Sequence, residues 1–119
     1  PSWSMQFDIG AASDELDLRP FKLEKLDLSA GVSSVRLWLP VPDNEMRCKI
    51  KAGVATLRIS VPETVGCEIR MDGGLTSKRF EGFQRMSDGL YRTDGFPTAA
   101  RKIRINIDAG VSTVRVDRY

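Results

Sequence analysis

The stretch that decides the fold is LDLSAGVSSVRLWLP (Leu26–Pro40), because the chain repeats it with the same chemistry. CKIKAGVATLRISVP (Cys48–Pro62) and INIDAGVSTVRVDRY (Ile105–Tyr119) keep its glycine and its alternation of apolar and polar residues. Anchoring on this glycine reveals two further, degenerate copies. The five copies are centred on Gly10, Gly31, Gly53, Gly74 and Gly110. Internal repetition is typical of architectures in which each unit packs against its neighbours.

Apolar residues alternate with polar ones on both sides of each glycine. The positions three residues before the glycine and six residues after it form two apolar columns. The first column is Phe7, Leu28, Ile50, Met71 and Ile107, and the second is Leu16, Leu37, Ile59, Phe80 and Val116. Alternation with period two is typical of a strand with one buried face. Each copy is therefore predicted to be a strand, a glycine bend and a second strand, the glycine supplying either a positive φ or a close backbone approach.

The spacing of the copies predicts how they assemble. The glycines are 21, 22 and 21 residues apart, and 36 residues separate the last two. Two short strands cannot bury their apolar face alone, so the copies must stack. We expect residues 1–119 to form one all-β domain of stacked two-strand repeats, a β-solenoid-like or two-sheet sandwich with successive copies adjacent. Short helical turns are expected only near Pro20–Lys25 or Pro97–Lys102.

The longer last interval contains an insertion at residues 82–100, GFQRMSDGLYRTDGFPTAA. Two Asp-Gly pairs, Asp88–Gly89 and Asp94–Gly95, are flanked by aromatic and aliphatic residues, which is typical of a β-hairpin. Such a hairpin either covers an open end of the stack or presents its aromatic side chains to a ligand. We favour the covering role, because a bare sheet edge promotes aggregation.

Composition excludes several classes of function. The 119 residues are 41% hydrophobic and 29% charged with a net charge of +2, as in a globular domain and without the basic excess of a nucleic-acid-binding protein. The chain has no histidine, the commonest general base and the commonest ligand of catalytic zinc. The acidic residues around Asp14 and Asp43 lack EF-hand spacing. We predict a protein that is not an enzyme and uses no cofactor or metal ion.

Cys48 and Cys67 match neither a C-x-x-C redox motif nor a zinc site. Both fall on the buried side of predicted strands, in successive copies and offset by two residues. Regular stacking would separate their Cα atoms by roughly 8 Å, beyond the roughly 7 Å limit for a disulfide. The sequence therefore predicts two free thiols in the core.

One outward-facing column is almost entirely arginine. Five residues after each glycine the chain has Glu15, Arg36, Arg58, Arg79 and Arg115. Stacking would place neighbouring members roughly 5 Å apart, where like charges repel unless a carboxylate or an anionic ligand lies between them. One interpretation, which the balanced net charge favours, is a solvated face with Glu15, Glu81 and Asp117 as counter-charges. The other is a binding strip for a phosphate-rich polymer or anionic lipid headgroups, with Trp38 as a further contact residue.

A family resemblance supports this architecture. The run GVATLRISVPETVGCEIRMDGG, the aromatic insertion and the closing KIRINIDAGVSTVRV resemble the C-terminal domain of LiaF-type cell-envelope stress proteins of bacteria, known as toastrack or adhesin-like β domains. The resemblance extends over essentially the whole chain. It implies an all-β stack without catalytic residues, attached in many members to transmembrane helices and linked to repression of a two-component envelope-stress system.

We therefore expect an interaction or sensory module of a bacterial envelope protein, anchored to the membrane through a segment outside this chain. Its expected partner is a protein, such as a membrane sensor kinase, or a cell-envelope polyanion, and not a nucleic acid. The alternative is an adhesin-like domain that binds an anionic polymer, a lipid headgroup or a polysaccharide.

Overall fold

The structure, a computed structural model, describes residues 3–9, 12–21, 23–31, 33–42, 45–73, 76–87, 89–93, 96–110 and 112–119. Nearly all of these residues lie in strands, and none of the described segments forms a helix of the length and apolarity that a membrane crossing requires. The elements are β1 (Trp3–Ile9), β2 (Ala12–Asp17), β3 (Leu23–Ala30), β4 (Ser33–Trp38), β5 (Glu45–Ala52), β6 (Ala55–Val61), β7 (Gly66–Gly73), β8 (Thr76–Phe80), β9 (Phe83–Ser87), β10 (Leu90–Thr93), a 3-10 turn (Phe96–Thr98), β11 (Lys102–Ala109) and β12 (Ser112–Arg118).

Each copy contributes one strand to each of two sheets. The seven-stranded sheet has the order β1-β3-β5-β11-β7-β10-β9, and the five-stranded sheet has the order β2-β4-β6-β12-β8. Equivalent strands of neighbouring copies pair in parallel. The predicted all-β stack of strand, bend and strand units is therefore confirmed.

The order of the copies differs from the expected order. The fifth copy is inserted between the third and the fourth, because β11 pairs with both β5 and β7 and β12 pairs with both β6 and β8. Five of its inward side chains are large and apolar, and each is at most 1% exposed: Ile103, Ile105, Ile107, Val114 and Val116. Placing this copy inside the stack buries more apolar surface than leaving it at an end, and such burial is the main driving force of folding.

Both apolar columns lie in the core as predicted. Leu28, Ile50 and Ile107 are adjacent in register and at most 1% exposed, and Leu37, Ile59 and Val116 form the equivalent row of the other sheet. The members from the first and fourth copies are only half-buried: Phe7, Leu16, Met71 and Phe80. They are less buried because these two copies are the ends of the stack.

The backbones of neighbouring copies lie close together at the repeated glycine, and the approach is tight at Gly110. A Cβ on Gly53 would lie 3.5 Å from the carbonyl oxygen of Gly31, and one on Gly110 would lie 3.2 Å from that of Gly53. The Gly53 and Gly110 amides each donate a 3.0 Å hydrogen bond to the preceding copy in the stack, at Ala30 and Ala52. Among the described residues a positive φ occurs only at Gly82 and Gly89. Gly10 and Gly74 lie outside the described residues.

The insertion forms the predicted hairpin. β9 and β10 are antiparallel, and β10 extends the seven-stranded sheet by pairing with β7. Phe83 and Tyr91 contact Phe80, with ring centroids 6.1 and 4.7 Å away. The hairpin thus covers the fourth-copy end of the stack.

The turns of this region match the expectations in part. Gly89 takes a φ of +73° in the hairpin turn, whereas Asp88 and the pair Asp94–Gly95 lie outside the described residues. The 3-10 turn at Phe96–Thr98 begins one residue before the second predicted helical segment. Strand β3 begins at Leu23 and occupies half of the first predicted helical segment, and the described residues of that segment form no helix.

Cys48 and Cys67 are both buried and neither is bonded to another sulfur. Their separation differs from the predicted one, because β11 lies between their strands: Cys48 is opposite Ile105, and Cys67 is opposite Ile103. Two strand spacings and an offset of two residues place their Cα atoms roughly 12 Å apart. This distance is well beyond the reach of a disulfide.

Candidate functional site

The outward-facing side of the five-stranded sheet carries the predicted arginine column as one row across all five strands. In spatial order the row, named here the arginine row, is Glu15, Arg36, Arg58, Arg115 and Arg79. Neighbouring strands are about 4.8 Å apart. Because of the changed copy order, Arg79 lies beside Arg115 at the end of the row, and the central pair is Arg58 and Arg115.

The members of the row differ in exposure and pairing. Arg58, Arg115 and Arg79 are exposed, whereas Arg36 is half-buried. Asp117 lies 3.9 Å from the Arg58 Nε atom, so it supplies a counter-charge there. Neither Arg115 nor Arg79 makes an ion pair with any side chain that the structure describes. The expected counter-charges therefore neutralise only part of the row.

A hydrogen-bond network anchors the row to the sheet. Ser60, which is 1% exposed, donates its hydroxyl to Asp117 Oδ1 over 2.6 Å and accepts a 3.4 Å bond from Arg36 Nη2. The Nη1 atom of Arg36 is buried without a hydrogen-bond partner in the described structure. The network links strands β4, β6 and β12 and fixes the positions of the Arg36 guanidinium and the Asp117 carboxylate.

Trp38 is enclosed by two guanidinium groups. The Cζ atoms of Arg36 and Arg19 lie 4.2 and 4.5 Å from the centroid of its ring, distances typical of cation–π contacts. The Tyr119 ring is 6.0 Å away, and its hydroxyl donates to the Leu39 carbonyl. Trp38 is half-buried and its ring holds Arg36 in position. The geometry therefore assigns it to positioning of the arginine row.

Sequence reasoning missed Arg19 and Tyr119 because their column, nine residues after the glycine, does not keep its chemistry: the second and third copies have Pro40 and Pro62 there. The one available signal was the spacing of Asp17 and Arg19 two residues apart at the end of a strand. Arg19 donates to both Asp17 carboxylate oxygens, at 2.8 and 2.6 Å. This paired hydrogen bond lowers the pKa of Asp17 to about 2.

A row of hydroxyl groups runs beside the arginine row on the same face. Its described members, in register, are Ser13, Ser34, Thr56 and Thr113. A groove of about 340 Å³ lies between the two rows at the first three strands, lined by Ser34, Thr56, Arg36 and Arg58 among others. Hydroxyl and guanidinium groups both donate hydrogen bonds to anions. The described residues include no cluster of acidic or cysteine side chains placed to hold a metal ion.

Comparisons with known proteins agree with this architecture. Residues 1–60 match the family model described as the N-terminal domain of toast_rack, DUF2154. The fold is similar to the crystal structure of a protein from Clostridium sporogenes ATCC 15579 that is provisionally described as a cell adhesion protein, with a TM-score of 0.91 and 22% identity. The superposition covers 98% of this chain and 55% of that one, so the chain spans about half of that protein's length. No curated protein matches the chain.

Proposed function

Because this chain belongs to the toast_rack family, we propose that it is a non-catalytic interaction module of the bacterial cell envelope that binds an anionic polymer or anionic lipid headgroups through the arginine row. The fold shared with an adhesion-type protein supports an interaction role. The absence of histidine from the sequence argues against the usual general-base and nucleophile systems.

The observation that carries this proposal is the register of the four arginines. Parallel pairing holds Arg36, Arg58, Arg115 and Arg79 on four adjacent strands with their side chains on one face. Positive charges held this close repel one another. An anionic ligand that lies across the strands relieves this repulsion at several positions at once, and guanidinium groups suit phosphate oxygens by geometry as well as charge.

The adjacent hydroxyl row supports the same class of ligand. Ser34, Thr56 and Thr113 are exposed beside the arginines and donate hydrogen bonds without adding charge. The ligand binds across several strands, so its affinity depends on a repeated anion rather than on a single phosphate. A polymer or a charged membrane surface meets this requirement.

The resemblance to LiaF-type domains supports a more specific role in envelope-stress signalling. In that role the domain is held at the membrane by a segment outside this chain and contacts a sensor kinase. An acidic face on such a protein partner would be complementary to the arginine row in the same way as a polyanion. The binding experiment separates the two kinds of partner.

The test is binding to vesicles of phosphatidylglycerol compared with vesicles of phosphatidylcholine, and to lipoteichoic acid. We expect binding to the two anionic ligands that weakens as salt rises, because such contacts are screened over about 8–10 Å near physiological ionic strength. The double variant Arg58→Gln/Arg115→Gln should lose most of the binding. Its free energy of unfolding should change by about 1 kcal/mol or less, since exposed ion pairs contribute little to stability.

The matched control is Arg47→Gln/Arg101→Gln, which removes the same charge from exposed positions outside the five-stranded sheet. This variant should bind like the wild-type protein. Equal losses in both variants would mean that only net charge matters. No binding at low salt would exclude the polyanion and leave the protein partner.

A further inference from the structure

The opposite face of the molecule has a second groove, of about 630 Å³, on the outside of the seven-stranded sheet. Three neighbouring strands, β5, β11 and β7, form its floor. The turn of the β9–β10 hairpin forms one wall, through Ser87, Gly89 and Leu90. The insertion thus creates a concave site on a sheet face that is otherwise open.

Six polar side chains project from the floor in two rows of three. One row is Lys49, Asn106 and Arg70, and the other is Lys51, Asp108 and Asp72. All six are exposed. In the row of Lys51, Asp108 and Asp72, the positive charge lies on β5 and the two negative charges lie on β11 and β7. In the other row Lys49 and Arg70 place positive charges on β5 and β7.

These charges are largely unpaired. Among the side chains that the structure describes, none forms an ion pair with Lys49, Lys51, Asp72 or Asp108. Arg70 contacts Glu68 only at 3.9 Å, and its side chain is 66% exposed. Asp72 and Asp108 are directly opposite on parallel strands about 4.8 Å apart, where two carboxylates repel. The groove therefore attracts an anion at the two lysines of β5 and a cation between Asp72 and Asp108.

We propose that this groove binds a short peptide with free termini, its ammonium group between Asp72 and Asp108 and its carboxylate between Lys49 and Lys51. Lys51 and Asp72 lie two strands apart, about 9.6 Å. An extended tripeptide spans about 10 Å, so both of its ends reach their partners. A polyanion does not fit this groove, because Asp72 and Asp108 repel it.

Other groups in the groove suit the middle of a peptide. The Asn106 amide, between the two charged ends, donates and accepts hydrogen bonds as a peptide group requires. Leu90, which is opposite Arg70 on the same face, provides apolar contact for one peptide side chain. This inference concerns the other sheet and a ligand without net charge. It therefore does not depend on the arginine row.

The experiment titrates the ¹⁵N-labelled full chain with trialanine and follows amide chemical shifts. We expect saturable shifts at Asn106, Asp108 and Gly89. N-acetyl-trialanine lacks the ammonium group and trialanine amide lacks the carboxylate, so each should bind about tenfold more weakly, as expected when a charged hydrogen-bonding partner is lost. Shifts that do not saturate, or equal affinity for all three peptides, would overturn the proposal.

Two variants assign the two ends of the peptide. In Asp72→Asn/Asp108→Asn, trialanine and its acetylated form should bind with the same weak affinity, because the partners of the ammonium group are gone. In Lys49→Gln/Lys51→Gln, trialanine and its amide should become equal instead. Arg58→Gln/Arg115→Gln should bind trialanine like the wild-type protein. Failure of peptide binding would thus leave the polyanion proposal intact. Failure of polyanion binding would likewise leave the peptide proposal intact.

Discussion

The guanidinium group of Arg36 lies over the indole ring of Trp38, with its Cζ atom 4.2 Å from the ring centroid. This contact joins the first arginine of the row to the aromatic cluster, which consists of Trp38 and Tyr119. Since Ser60 also accepts a hydrogen bond from Arg36, the side chain is held by two neighbours. Preorganisation of this kind lowers the entropy cost of binding a ligand.

Replacement of Trp38 tests this contact. Trp38→Leu should lower the free energy of unfolding by about 1–3 kcal/mol, because it removes a half-buried ring and two cation–π contacts. Urea denaturation measures this loss. In a double-mutant cycle with Arg36→Gln the coupling should be about 0.5–1 kcal/mol. Strict additivity of the two substitutions would show that the contact contributes nothing.

The strands, both buried columns and the outward arginines could be predicted because each depends on a local pattern. Alternation fixes which side chains face the core. The repeat fixes which positions are equivalent, and parallel pairing then brings Leu37, Ile59 and Val116 into one row. None of these steps requires knowledge of which copies are neighbours.

The order of the copies in the stack could not be predicted from the repeat, because it depends on how the copies differ. They differ at the position four residues after the glycine. Copies two, three and five have Val35, Leu57 and Val114 there, whereas copies one and four have Asp14 and Lys78. Burial of an unpaired charge is costly, so the copies with an apolar residue at this position are the ones that suit the central strands. The two charged copies are the two ends of the five-stranded sheet. Periodicity alone does not contain this information.

The aromatic cluster could not be predicted for a different reason. Arg19 and Tyr119 both stand nine residues after a glycine, just beyond β2 of the first copy and β12 of the fifth copy. This equivalence alone does not bring them together, because β4 and β6 lie between β2 and β12. They meet at Trp38 only after the stack has formed.

Truncations along one core row should report the position of each copy in the stack. Ile107→Ala in the fifth copy should cost about 2–5 kcal/mol, because the residue is 1% exposed and surrounded on both sides. Met71→Ala in the end copy should cost clearly less, since Met71 is half-buried. Thermal or urea denaturation measures both. Equal costs would contradict the inserted position of the fifth copy.

Gly89 and Gly53 form a matched pair for testing backbone constraints. Gly89 has a φ of +73°, and a Cβ there would lie 2.5 Å from the Met71 carbonyl oxygen, so Gly89→Ala forces the hairpin turn to move. Its cost should be about 1–3 kcal/mol. At Gly53 the nearest atom would be 3.5 Å away, which is ordinary contact. Gly53→Ala should therefore be tolerated, and a similar loss of unfolding free energy in both variants would contradict the assigned turn.

Acid titration tests the ion pair at the end of β2. Its hydrogen bonds with Arg19 lower the pKa of Asp17 from 3.8 to about 2. A lowered pKa in the folded state means that the pair stabilises the protein above pH 3.8 and that this contribution is lost as the pH falls toward 2. NMR of the Asp17 carboxyl carbon gives the midpoint. Arg19→Gln should return it to near 3.8, and a wild-type midpoint already near that value would contradict the pairing.

Alkaline titration tests the two core thiols. Burial raises the pKa of Cys48 from 9.0 to about 12 and that of Cys67 further. Between pH 9 and these raised pKa values, the unfolded chain loses thiol protons that the folded protein retains. The free energy of unfolding therefore falls as the pH rises above about 9. For each thiol the slope should rise from near zero at pH 8 toward about 1.4 kcal/mol per pH unit at pH 10. Urea denaturation from pH 8 to 10 measures it, and Cys48→Val/Cys67→Val should remove that share of the slope.

Thiol reactivity provides an independent readout of the same burial. An Ellman reagent assay at pH 8 should find no reactive thiol in the folded protein and two after unfolding, because the thiolate is the nucleophile and both sulfurs are buried. Rapid labelling of the native protein would contradict the core assignment. Mass spectrometry of non-reduced protein should find no Cys48–Cys67 crosslink, since β11 separates the two strands. A crosslink at full occupancy would mean that the fifth copy is not between the third and the fourth.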